Sequence, residues 1–345
     1  MNCLGDGILK FTRLAFVILA ILMLFASACG KKESQESEKK QPEKEKAAIK
    51  KTAPLTGVET NIVPPERAVA VTINNHPDAR PQSGLSQADI VYEALAEGNV
   101  TRFLAIFQSE KPENIGPVRS ARQYFIDLSK GYDALYVAHG YSPEAEQTLK
   151  SGAIDNINGI QHDGTLFKRA DFRKAPHNSY ITFKNIEKGA NDAGYDMDKA
   201  PKTLDFLSDE EAGSLEGEAA ANLKVAYSQN QTFIAEYHYD SQEEKYTRSS
   251  GGAETVEYDN DQPILLDNVI VIEAAHTVKD EEGRRGIDLT SGGKAYVFQK
   301  GIIQEAEWKN ENGRILPYKN GEAMKLVSGK TWINIVPELT MVSFE

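Results

Sequence analysis

The stretch Gly116-Pro117-Val118-Arg119-Ser120-Ala121-Arg122, continuing through Gln123-Tyr124-Phe125-Ile126-Asp127-Leu128-Ser129 to Ala134-Leu135-Tyr136-Val137-Ala138-His139-Gly140, decides the fold. Ala121, Tyr124, Phe125 and Leu128 recur at i, i+3, i+4 and i+7, which predicts a one-sided helix over 120–129. The unbroken apolar run after it predicts a strand over 134–138. Loop, helix and strand in that order are the repeating unit of an α/β domain.

Working outward, apolar runs at 68–73, 90–94 and 103–107 predict further strands. Ser142-Pro143-Glu144 places a cap, a first-turn proline and an acid at a helix start, and Gly152 closes that helix. A third helix is expected over 182–193, stopped at Gly194. Past an acidic stretch at 198–218 the pattern changes, because 223–227, 232–239, 268–275, 294–299 and 331–336 all read as strands. Gly251-Gly252, Gly292-Gly293, Asn312-Gly313 and Asn320-Gly321 fall between them where turns need positive φ. The expected class is α+β: an N-terminal α/β domain over 54–200, an acidic linker over 201–218 and a smaller, mainly-β domain over 219–345. Trp308 and Trp332 are expected in the core of that second domain.

The chain has 345 residues and a net charge of −12, with 39 Lys+Arg against 51 Asp+Glu. That balance excludes nucleic acid as the main partner, since phosphate backbones need a basic footprint. At the start, Lys10 and Arg13 precede an apolar run over 14–26, too short to span a bilayer but of the length of a signal-peptide core. Ala26-Ser27-Ala28-Cys29-Gly30 then has the small residues that precede a lipidated cysteine, with Ala26 where leucine is usual. Residues 1–28 are read as a lipoprotein signal peptide and Cys29 as the lipidation site, anchoring the protein at the extracytoplasmic face of the cell membrane. Residues 29–53 form a polar charged tether. The segment 31–51 carries +3 and the first thirty residues +1, which leaves −16 of the total −12 on the rest of the chain.

Arg119 and Arg122 stand at the start of the first predicted helix, where cations oppose the helix dipole unless an anion meets them. They are candidates for an anion-binding pair that grips a carboxylate or phosphate. The competing reading pairs them internally with Glu93 or Glu97. His76 and His139 each follow a predicted strand, so both belong near strand carboxyl ends, where ligands of open α/β sheets gather. They are candidate pocket or catalytic residues, with Asp89 or Glu93 available to orient an imidazole base. A basic loop, Lys168-Arg169-Ala170-Asp171-Phe172-Arg173-Lys174-Ala175-Pro176-His177-Asn178, stands out against the acidic body. Arg173, Lys174, His177 and Asn178 are candidates there for an anionic glycan, with Phe172 stacking on sugar and Arg173 pairing with the anion. The chain contains no HExxH, Walker loop, GxGxxG or GxSxG, so the corresponding enzyme classes have no support. No cofactor and no metal is implied.

Ile73-Asn74-Asn75-His76-Pro77, Arg80-Pro81-Gln82-Ser83-Gly84-Leu85, Ala88-Asp89-Ile90-Val91-Tyr92-Glu93, Glu97-Gly98 and Thr101-Arg102-Phe103 together resemble the YerB-like lipoproteins of Gram-positive bacteria. The motifs at 116–122 and 173–178 extend the resemblance, and Gly293-Lys294-Ala295, Trp308 and Gly329-Lys330-Thr331-Trp332 carry it into the second domain. It implies a two-domain envelope lipoprotein and no particular chemistry. The function expected is a membrane-anchored binding or regulatory module of the cell envelope, its partners envelope or cell-wall proteins or an anionic glycan or phosphate-containing ligand. The alternative is a hydrolase or transferase on an anionic envelope substrate, using the arginine pair and a histidine.

Overall fold

In the computed structural model the described residues are 51–60 and 66–345. The signal segment, Cys29 and the tether as far as residue 50 lie outside them. Lys51–Thr52, at the tether's end, pairs antiparallel with Glu59–Thr60. No helix of the described residues is long and apolar enough to cross a membrane.

The first strands are β1 (Val69–Asn74), β2 (Ile90–Glu97) and β3 (Val100–Phe107), almost wholly buried along their length. They read as unbroken apolar runs because both faces of the sheet are covered. Val69, Val71, Val91, Leu95, Phe103 and Ala105 enter one core, while Ala70, Ile90, Tyr92, Leu104 and Ile106 enter another on the opposite face. There follow α1 (Gln123–Gly131), β4 (Leu135–Ala138), α2 (Pro143–Lys150), β5 (Asn156–Asn158), β6 (Phe167–Arg169), β7 (Ser179–Ile181) and α3 (Phe183–Ala193). The Thr182 side chain caps α3 and Gly194 ends it in the left-handed conformation at φ 72°.

One helix start differs from expectation. The periodicity begins at Ser120, but α1 begins at Gln123. The Arg119 N–H is donated to Thr72 O (2.9 Å) and the Ala121 N–H to Gly140 O (2.9 Å). Residues 119–121 are thereby held extended between the ends of β1 and β4, and their amides are not free to open a helix.

Later elements are β8 (Asn222–Ala226), β9 (Ile234–Asp240), β10 (Lys245–Ser250), β11 (Asn268–Glu273), β12 (Gly293–Gln299), β13 (Ile302–Glu311), β14 (Arg314–Lys319), β15 (Thr331–Val336) and β16 (Val342–Phe344). A sheet of twelve strands runs β14-β13-β12-β11-β15-β2-β3-β1-β4-β5 through its middle. β15 is the seam, parallel to β11 on one side and to β2 on the other, with Ile333 opposite both Ile270 and Tyr92. The expected domains therefore share one sheet, and the described residues belong to one compact unit. A second sheet, β10-β9-β8-β16, is antiparallel. Its apolar face, including Leu223, Val225, Tyr237 and Tyr246, shares a core with Val91, Phe103 and Trp332.

The acidic stretch 201–218 is tied to the body at several points. Leu204 N–H is donated to Pro54 O (2.9 Å), Leu207 N–H to Leu326 O (2.8 Å), and Glu218–Ala219 pairs with β13. Trp308 and Trp332 are 1% and 0% exposed, Trp308 donating to Glu273 O (2.7 Å).

Candidate functional site

The carboxyl ends of β1 and β4 bring together His76, Arg119 and His139, and the loop before β7 adds His177. The backbone makes the junction, with the His139 N–H donated to Arg119 O (2.9 Å) and the Val118 N–H to Ser179 O (2.7 Å).

Beneath Arg119 lies a shortage of negative charge. Glu97 receives hydrogen bonds from Arg102 on one oxygen and Arg122 on the other, while Arg119 stands 4.0 Å away. Arg102 and Arg122 are nearly fully buried, and each also donates through Nη1 to backbone, at Ser120 O (2.7 Å) and Ala121 O (2.9 Å) respectively. Burial alone would raise the Glu97 carboxyl, yet Arg102, Arg122 and Arg119 hold it below the usual range. Its partners are not equally served. Burial and the neighbouring Arg122 push the Arg102 guanidinium down to about 9, and burial lowers Arg119 despite Glu97, with Arg122 and Arg169 adding to the effect. Three cations share one anion, and each of these two holds its proton less firmly than a free arginine would. The Arg119 side chain is 22% exposed, and among the described residues no group hydrogen-bonds its guanidinium.

Two of the imidazoles near Arg119, His139 and His177, hold a proton less readily than a free histidine. His139 Nε2 faces the Arg169 guanidinium at 3.0 Å, which can only donate, so the neutral ring carries its proton on Nδ1 and gives it to Ser179 Oγ at 2.7 Å. Burial lowers His139 and Arg169 lowers it further, against a smaller pull from Asp163. The Asn74 amide accepts from the His76 N–H through Oδ1 (2.9 Å), which turns its Nδ2 toward His177 Nδ1 (2.8 Å) and leaves the His177 proton on Nε2. Burial lowers His177 as well, with His76, stacked on it at 4.6 Å, the next cause. His76, Asp78 and His177 bring one ligand atom each to within 4.8 Å of one another. The donor set fits a cation poorly. A metal-bound histidine normally donates its other ring N–H to an acceptor, and Asn74 presents His177 with a donor instead. Arg119 and Arg173 also lie within electrostatic reach of the His177 ring.

Several expected site residues stand elsewhere. Asp89 precedes β2, at the opposite end of the strands from His76, is fully buried, and accepts from the Gln108 and Ser109 N–H groups and from Ser109 Oγ. It closes a loop and orients no imidazole. Glu93 is mid-strand and buried, accepting from Arg248 (2.8 Å), Thr101 (2.9 Å), Asn75 (3.1 Å) and Trp332 (3.2 Å). It meets neither histidine, and the internal partner of Arg119 and Arg122 is Glu97 alone. The helix start also contributes no open amide at Ala121, which is bonded to Gly140. Arg173 is not a free anion-pairing group either, because its terminal nitrogens donate to the carbonyls of Asp78, Arg80 and Pro81. Lys174 is exposed, its carbonyl accepting from the His177 N–H (2.9 Å), and Asn178 accepts from Arg169 (3.2 Å). Arg102, Asn74, Asp163 and Ser179 are members that pattern reading missed. Only Arg102 left a signal, a charge interrupting the apolar run of β3.

Residues 55–196 match the family described as "Protein of unknown function (DUF3048) N-terminal domain", and residues 223–333 its C-terminal domain. The Bacillus subtilis (strain 168) protein named "Putative lipoprotein YerB" is 51% identical over 298 residues, covering 86% of this chain and 89% of the relative. The crystal structure of YerB protein from Bacillus subtilis matches with a TM-score of 0.81 at 50% identity, covering 86% of this chain and all of that one. With both of its domains matched in order, and Arg102, Arg119 and Arg122 lying within the first, the chain belongs to the DUF3048 family.

Proposed function

We propose that this protein is a lipoprotein, anchored through Cys29 at the extracytoplasmic face of the membrane, that binds an anionic, phosphate-bearing envelope ligand at Arg119. The name of the Bacillus subtilis relative and the signal-like segment ending at Cys29 support the anchor. The charged tether would let the acidic body stand off an anionic membrane while remaining held to it.

The observation that carries the binding reading is the Arg119 guanidinium, largely buried, without a hydrogen bond among the described residues and sharing Glu97 with two other arginines. A largely buried cation of this kind is left short of partners until an oxyanion supplies them. His177, whose Nδ1 is taken by Asn74, leaves its Nε2–H as a neutral donor within electrostatic reach of Arg119. Hydrolysis or group transfer is the weaker reading, because Arg169 covers the His139 Nε2 lone pair and Ser179 is 1% exposed.

Thermal unfolding with and without phosphate tests the reading. The wild type should gain about 2.7 kcal/mol at a phosphate concentration of 100 times Kd. Arg119→Gln should stay folded and lose the response. A wild type indifferent to phosphate and to phosphate esters would overturn the proposal.

A further inference from the structure

We propose that the ligand is a glycan chain carrying phosphodiesters, and that Phe172 and Tyr258 form a platform for its sugar rings next to the Arg119 anion site. The proposal rests on the anion reading above and specifies its ligand.

Among the described residues five large apolar side chains are exposed, and the two aromatic ones, Phe172 at 50% and Tyr258 at 39%, are in contact with each other. Their rings stack at 4.5 Å and 7°. The stack covers one face of each ring and leaves about half of the Phe172 surface open. Exposed aromatic side chains usually fold down or move, but this pair is held. Arg173 lies 5.6 Å from the Phe172 ring and 5.3 Å from that of Tyr258, itself fixed by the carbonyls of Asp78, Arg80 and Pro81. The Tyr258 N–H is donated to Gln82 O (2.8 Å), which ties the second ring to the same loop. A flat, rigid, half-open apolar face bordered by polar groups is what a pyranose ring needs, since its axial C–H groups pack on the ring while its hydroxyls stay wet.

A chain of contacts runs from the platform to the anion site. Arg173 donates to Asp78 O at 2.9 Å, the Asp78 carboxylate stands 3.7 Å from His76, His76 stacks on His177 at 4.6 Å, and His177 meets Asn74 at 2.8 Å, whose N–H is donated to Pro117 O (2.9 Å) two residues before Arg119. A ligand engaging both ends must therefore be extended, with an anion at one position and a sugar at the next. A free phosphate or a simple lipid headgroup would fill only the Arg119 end. On a body of charge −16 outside the tether and signal segment, a polyanion would be repelled over most of the surface, whereas here Arg119 and the exposed Lys174 favour it against the single exposed carboxylate of Asp78 on the path between the two ends.

Calorimetric titration of the folded exported portion of the full chain with two probes of equal charge decides the matter: a glycerol phosphate oligomer, and the same oligomer bearing glucose on its glycerol units. The wild type should bind the glucosylated oligomer at least tenfold more tightly. Phe172→Ala should bring it down to the affinity of the bare oligomer, whose own binding stays unchanged, and Phe172→Trp should keep the difference. Equal binding of the two oligomers, binding of neither, or a difference that survives both Phe172→Ala and Tyr258→Ala would overturn the platform. If inorganic phosphate still stabilises the protein in any of those cases, the Arg119 reading stands; if phosphate too has no effect, both fall.

Discussion

Glu93 and Glu97 are four residues apart on one strand and live in opposite electrostatic circumstances. Glu93 has a single arginine, Arg248, and three neutral donors, and both charges are almost completely buried. Arg248 is also stacked over Trp332 at 4.7 Å, so the pair sits where β2, β15 and the second sheet meet. Glu97 is less buried and is claimed by three arginines. A β-bulge between Leu95 and Glu97 makes the difference. Without it residues 93, 95 and 97 would face one side of the sheet; with it Glu97 turns to meet Arg102, whose neighbours Leu104 and Ile106 belong to the other core. The one-to-one pair behaves as a structural joint, and the oversubscribed carboxylate as the floor of the proposed anion site.

The largest effect expected from this contrast is at Glu93. Glu93→Gln leaves the Arg248 charge buried without its counter-ion and should cost about 3 to 5 kcal/mol, read as a loss of stability in urea titration. Because the pair lies at the seam between the two matched regions, the loss should appear as one cooperative transition. A variant as stable as wild type would remove the distinction between joint and site.

Glu97→Gln should cost less, about 1.5 to 3 kcal/mol, since it removes charged hydrogen bonds at a position that water still reaches. Its signature lies in the anion response. With the only shared carboxylate neutralised, Arg102, Arg119 and Arg122 compete more strongly for an added oxyanion, so phosphate should stabilise this variant more than it does wild type. Phosphate should do nothing for Glu93→Gln beyond its effect on wild type. The same increment in all three proteins would break the comparison.

The contrast was only half legible from sequence. The strands β1, β2, β4, β11 and β15 and the helix α3 carry their signals in apolar runs and caps, and these the structure reproduces within a few residues. β13 and β10 were missed because residues such as Gln304, Glu305, Glu307 and Arg248 read as polar surface, although Arg248 is buried against Glu93. The pairing of β15 with β2 joins residues more than two hundred positions apart, and neither strand encodes its neighbour locally. At the site, strand ends correctly located His76 and His139. Which carboxylate the arginines meet depended on the bulge, a one-residue departure from alternation that the run Ala94-Leu95-Ala96-Glu97 does not announce.

The smallest expected effect separates the two regions by pH, because the two histidines lowered beside Arg119, His139 and His177, belong to the Glu97 side. His139 is held neutral in the fold first by burial and then by Arg169, so its folded pKa lies below the 6.5 of an unfolded chain. The sign follows from proton linkage. Above about pH 7 the ring is neutral in both states and costs nothing; as pH falls below 6.5 the unfolded chain takes up the proton first, and stability declines until the folded ring is protonated too. The groups acting on the ring are Arg169, Asp163 and Arg119, and only Asp163 favours its protonation. His177 is lowered in the same direction and adds to the decline. Unfolding measured from pH 7.5 to 5 should therefore show a gradual loss in wild type that His139→Gln makes shallower, while Glu93→Gln shifts the whole curve down without changing its slope in this range. Phosphate bound at Arg119 would supply the negative charge the imidazoles lack, and so should also flatten the wild-type curve. A slope that neither phosphate nor His139→Gln alters would place the titrating groups elsewhere and detach the histidines from the anion site.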